Sequence, residues 1–156
     1  MWPDYVDSYS EFLAKEIDQN ANISFLTEYG NYFRPFINTT KLLKTLKEHC
    51  LDKDQHLAVA SRATNPKLAM KAIEDFGWKN YFSSIQIYPT SKIKHMHAIQ
   101  KELNLDNCED FLFYDDENRN IIDTESLGVL AYLVRQDQGF NRYELFDGLA
   151  KFNNRK

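Results

Sequence analysis

The chain has 156 residues, 43% hydrophobic and 27% charged, which suits a globular domain that buries a core without disulfide or metal staples. A formal net charge of -4 argues against nonspecific nucleic-acid binding, and with no apolar run of bilayer-spanning length the sequence excludes insertion in a membrane. Cys50 and Cys108 fit neither zinc nor redox spacing, and with no targeting pattern in view they read as reduced thiols of a single cytoplasmic domain, residues 1–156.

Along the chain, Trp2-Pro3 forces an extended start, and Tyr9, Phe12, Leu13, Glu16 and Ile17 then stand at helical spacing between Ser8 and Asn20. Asn20 to Asn38, with Gly30 and Pro35, is a loop or a small hairpin. Thr39 or Thr40 is placed to cap a helix carrying Leu42, Leu43, Leu46 and Cys50 on one face.

Strands and helices alternate from there. Leu57 to Ala60 reads as a short strand ending at Ser61-Arg62, followed by a helix that Asn65-Pro66 opens and Gly77 closes. Ile85 to Tyr88 is a second strand, and Pro89-Thr90-Ser91-Lys92 leads into a helix through Ile93, Met96, Ile99 and Leu103. The third strand, Phe111-Leu112-Phe113-Tyr114, stops at Asp115-Asp116 and passes into a helix from Glu117 to Leu127, closed by Gly128. Val129 to Val134 is a fourth strand and Tyr143 to Phe152 a last helix. Such alternation predicts right-handed crossovers and an α/β fold built on a doubly wound parallel sheet.

Each strand ends in chemistry. In open α/β sheets ligands gather at the carboxyl ends of strands, where this chain carries Ser61, Arg62, Lys92, Asp115 and Asp116. A hydroxyl, two cations and two carboxylates suit a phosphate with a magnesium ion, since adjacent carboxylates repel unless a cation or donors offset them. Taken singly, each has a plainer use: Ser61 as a turn residue, the cations in solvent, the aspartates as helix caps. His95 and His97 stand on diverging helix faces and do not form a two-histidine metal site, and His49 and His56 flank a loop.

Ala60-Ser61-Arg62, Ser91-Lys92-Ile93-Lys94-His95 and Phe113-Tyr114-Asp115-Asp116-Glu117-Asn118-Arg119-Asn120, in that order, resemble the magnesium-dependent phosphatases of the haloacid dehalogenase (HAD) superfamily. The resemblance runs from Trp2 to about Leu149. It implies a HAD-like Rossmannoid fold, capless or with a minimal cap, and hydrolysis of phosphomonoesters such as phosphotyrosine or sugar phosphates through an aspartyl-phosphate. It implies Ser61 and Arg62 as substrate contacts, Lys92 as the cation that neutralises nucleophile and phosphate, and Asp115 with Asp116 as magnesium ligands. The family's Asp-any-Asp-any-Thr motif, which carries nucleophile and acid/base on the first central strand, does not occur in this sequence. Trp2-Pro3 aligns with the segment after that motif, so the nucleophile is expected just upstream of Met1, and the chain as written is expected to be inactive. The other reading is a noncatalytic HAD-like module that keeps the cradle for phosphate binding or interaction. A generic nucleotide-binding sheet is disfavoured, because no Gly-rich phosphate loop occurs.

Overall fold

The structure is a computed structural model that describes residues 12–17, 23–27, 32–33, 35–36 and 38–155. Trp2-Pro3, Tyr9 and Gly30 lie outside the described residues. The first described elements are β1 (Phe12–Ile17), β2 (Ile23–Thr27) and β3 (Tyr32–Phe33), an antiparallel sheet in the order β1-β2-β3. Of the loop and the small hairpin left open for Asn20 to Asn38, the hairpin is present, as β2 and β3. The helix expected around Phe12 to Ile17 is not: this segment is a strand, because pairing with β2 satisfies its backbone groups and overrides a weak periodic signal.

Helix α1 (Thr39–Thr45) continues as a π-helical turn over Leu46–Cys50. Neither Thr39 nor Thr40 caps it. Asn38 occupies the cap position at φ 70°, a left-handed conformation that asparagine tolerates.

The alternating elements follow as β4 (Ala58–Ser61), α2 (Pro66–Asp75), β5 (Ser84–Ile87), α3 (Lys92–Glu102), β6 (Leu112–Asp115), α4 (Asn118–Glu125), β7 (Leu130–Leu133) and α5 (Arg142–Asn154). Helix α2 starts as its sequence dictates, with Asn65 Oδ1 accepting from the Leu68 amide at 3.1 Å and Pro66 in the first turn. At its end Gly77 takes φ 74°, and the amides of Gly77 and Trp78 donate to the carbonyls of Glu74 and Ile73, the bond pattern of a Schellman motif.

Strands β4 and β5 pair in parallel, as do β6 and β7. Parallel alternation is therefore as expected, giving an α/β fold consistent with a HAD-like Rossmannoid. The parallel strands form two two-stranded sheets, with no ladder joining β4 to β6 among the described residues.

Helices cover both faces. On one side Val59 packs with Leu43 of α1, with Leu68, Ala69, Ala72 and Ile73 of α2, and with Phe76 and Trp78. The next residue, Ala60, borders the opposite cluster of Met96, Cys108 and Val129 together with Phe113, as the two-residue period of a strand requires. Helix α3 packs on β4 and β5 and against α4, which packs on β6 and β7, so the α3–α4 contact ties the two strand pairs together. No helix among the described residues is long and apolar enough to cross a membrane.

Candidate functional site

The candidate residues come from the ends of three elements. Ser61 is the last residue of β4 and Asp115 the last of β6, while Lys92 opens α3. Lys92 is the centre. Its side chain is only 4% exposed, and its Nζ lies 3.2 Å from Asp115 Oδ2, itself on a side chain 11% exposed. The same ammonium donates to the Ala60 carbonyl of β4 and stands 5.3 Å from the centre of the Phe113 ring. One cation thus reaches both strand pairs. The carbonyls of Leu57 and Ser61 accept from the β5 side, so by strand alternation Ala60 presents its carbonyl away from β5, where no strand partners it among the described residues. Burial pushes the Lys92 pKa below the ordinary lysine value, against the opposing pull of the Asp115 carboxylate.

Asp115 is held from the other side as well. Its Oδ1 accepts from the Glu117 amide at 2.9 Å and from Asn120 Nδ2 at 2.8 Å. The first bond is the local cap-like contact that an aspartate makes two residues before a helix. Asn120, buried, extends the network: its Oδ1 accepts from Arg62 Nη1 at 3.0 Å and its Nδ2 also lies 3.1 Å from Glu117 Oε2. Arg62, expected as a substrate contact, is therefore linked to Asp115 through a single amide. Arg119 donates to Glu117 Oε2 at 2.7 Å, the main cause that holds the Glu117 carboxyl below its usual range.

Ser61 and Asp116 are placed differently. Ser61 Oγ accepts from the Ala63 amide at 3.3 Å, a turn contact that leaves its hydroxyl proton to donate elsewhere. Asp116 is exposed, and the contact described for it is made by its backbone carbonyl, which accepts from Gln136 Nε2 at 3.3 Å. The structure thus brings Arg62, Lys92 and Asp115 into one network and leaves the Asp116 carboxylate at its rim.

The family model of the acid phosphatases matches residues 1–155. The chain belongs to the acid phosphatase family. Its resemblance to the magnesium-dependent phosphatases of the HAD superfamily is borne out by relatives of both descriptions. Magnesium-dependent phosphatase 1 of Homo sapiens is 28% identical over 152 residues, covering 97% of this chain and 81% of that protein. A HAD-like hydrolase superfamily protein of Schizosaccharomyces pombe is 28% identical over 138 residues, covering 83% of this chain and 76% of its own length.

In this family member the donor set fits magnesium in kind. Asp115 and Asp116 offer hard carboxylate oxygens, and Asp115 keeps acceptor capacity beyond the three donors already on it. It is short of a full site, since no group of three or more metal-ligating His, Cys, Asp or Glu side chains occurs among the described residues. Asn120, Glu117 and His95 belong to this network although the sequence assigned them no part in the site. The signal for Asn120 was its place in the first turn of α4, where an amide reaches back to the strand end. For His95 it was an imidazole three residues after Lys92, on a helix that begins at the site.

Proposed function

We propose that this chain recognises the phosphate of phosphomonoesters, such as phosphotyrosine or a sugar phosphate, and that it works as a magnesium-dependent phosphatase when an aspartate nucleophile is supplied. The observation that carries this reading is the buried Lys92 ammonium between the ends of β4 and β6, facing one carboxylate and flanked by Arg62. Burying a cation costs several kcal/mol, roughly, unless anions offset it, and a phosphate dianion adds what Asp115 alone does not.

The parts divide the work. Lys92 neutralises phosphate charge, and Arg62, oriented through Nη1 by Asn120, turns further N–H donors toward phosphate oxygens. The Ser61 hydroxyl donates to a third oxygen while its own lone pair holds the Ala63 amide. Asp115 and Asp116 would hold magnesium, which when bound neutralises charge on the transferring phosphoryl group. Losing the nucleophile of a concerted set costs about a millionfold in turnover, so the 156 residues by themselves bind phosphate and turn it over negligibly.

Two measurements on the purified chain test this together: calorimetric titration with inorganic phosphate, and turnover of a chromogenic phosphomonoester with and without magnesium. Phosphate binding without appreciable turnover is expected. Turnover at an ordinary enzymatic rate, on the order of 1 s⁻¹ or more, would show that another residue serves as nucleophile. Failure to bind phosphate would overturn the reading altogether. The noncatalytic module is the second reading, and the engagement of Asp115 by Lys92, Asn120 and the Glu117 amide favours it, because these contacts hold in a binding network the one carboxylate that Lys92 meets.

A further inference from the structure

His95 is fully buried on the first turn of α3, and both of its ring nitrogens face backbone carbonyls. Nδ1 lies 2.9 Å from the carbonyl of Ser91, one helical turn back, and Nε2 lies 2.8 Å from the carbonyl of Ser61, 34 residues away in sequence. The Tyr88 ring stacks on the imidazole with centroids 4.2 Å apart and planes 10° from parallel, which fixes the ring's tilt. The two carbonyls flank the site: one belongs to Ser61 itself, the other to the residue before Lys92. Carbonyl oxygens only accept, so a contact here is a hydrogen bond only where the nitrogen facing the carbonyl carries a proton. The Ser91 contact stays within one turn of a helix. The Ser61 contact spans two elements and is not imposed by local backbone geometry.

We propose that His95 is a positioning residue for phosphate recognition, its Nε2–H donating to the Ser61 carbonyl and so fixing the end of β4, with Ser61 and Arg62, against the helix start that carries Lys92. This rests on the phosphate reading above. A neutral ring donates to one carbonyl and an imidazolium to both, and both forms with a proton on Nε2 make the link.

The test separates the hydrogen bond from the packing. His95→Gln puts an amide donor close to the Nε2 position, whereas His95→Phe keeps a flat ring against Tyr88 and donates nothing. Inorganic phosphate titrated into the three proteins should bind His95→Gln within about threefold of wild type and His95→Phe about tenfold more weakly, as the loss of one spanning hydrogen bond implies. Nitrogen NMR of the imidazole in the wild-type chain should show a proton on Nε2. A ring protonated on Nδ1 alone would overturn the proposal whether or not His95→Phe folds, and so would equal affinity in wild type and a folded His95→Phe. Loss of binding in His95→Gln equal to that in His95→Phe would also overturn it, by assigning the effect to the ring and not to its donor. If wild type itself binds no phosphate, the functional reading falls first, and the proton position then decides the Ser61 link by itself.

Discussion

At the scale of single residues, the Lys92–Asp115 pair is asymmetric. Asp115→Ala leaves an ammonium buried to 4% exposure without its carboxylate, and breaking a buried pair in this way costs about 3 to 5 kcal/mol. Because burial already lowers the Lys92 pKa, the lysine sheds its proton more readily once the carboxylate is gone, which holds the loss near about 3 kcal/mol. Lys92→Met fills a similar volume with an apolar chain and leaves Asp115 its bonds from Asn120 and Glu117, so its cost is mainly that of the Ala60 carbonyl losing its donor, about 1 to 2 kcal/mol. Urea denaturation of the two variants reads this difference directly; equal losses would mean that the pair is not the buried unit described. His95 sets a pH dependence. Burial is the largest influence on its pKa and lowers it from the usual 6.5, with the carbonyls of Ser91 and Ser61 pulling the other way. On acidification the unfolded chain therefore takes up the proton before the folded ring does. The stability that follows is complete above about pH 6.5 and is lost as pH falls below it. Thermal melts between pH 8 and pH 5 should fall more steeply for wild type than for His95→Gln, and parallel curves would contradict the assignment.

At the scale of elements, two helices make separable predictions. Asn65 Oδ1 on the Leu68 amide is the side-chain cap of α2, so Asn65→Ala should lower stability by about 1 kcal/mol, seen as a shifted denaturation midpoint with an unchanged slope. Gly148 lets α5 lie on β6: a Cβ there would clash with Tyr114 Oη, whose hydroxyl donates to the Leu145 carbonyl at 2.8 Å. Alanine would gain about 1 kcal/mol of helix propensity but lose more through overpacking, for a net cost of about 1 to 2 kcal/mol. Combining Gly148→Ala with Tyr114→Val should cost less than the sum of the two changes, since the second removes the obstacle to the first. Additive losses would place the strain elsewhere.

At the scale of the whole molecule, inorganic phosphate should raise the melting temperature while magnesium alone leaves it unchanged, because no group of three or more metal-ligating side chains occurs among the described residues. Phosphate at about a hundred times its dissociation constant is worth about 2.7 kcal/mol, enough to see by scanning fluorimetry. A large shift with magnesium and no phosphate would mean that the metal site is complete without substrate. The order of strands and helices from β4 to α5 was legible in the sequence, because caps, glycine stops and apolar runs act over a few residues. Asn65-Pro66, Gly77, Gly128 and the Phe111 to Tyr114 run each announced their element. The same local signals misread Phe12 to Ile17, where spacing allowed a helix and the partner strand β2 decided otherwise. The sequence by itself also determined which side chains stand at the strand ends, since a residue's place along its own element is a local matter. Only the tertiary structure decided what those side chains meet. Arg62 meets Asn120 across 58 residues, His95 meets Ser61 across 34, and Lys92 reaches Ala60 across 32. Local periodicity carries no information about contacts of that span, because they depend on how α3 and α4 settle against each other on two separate strand pairs.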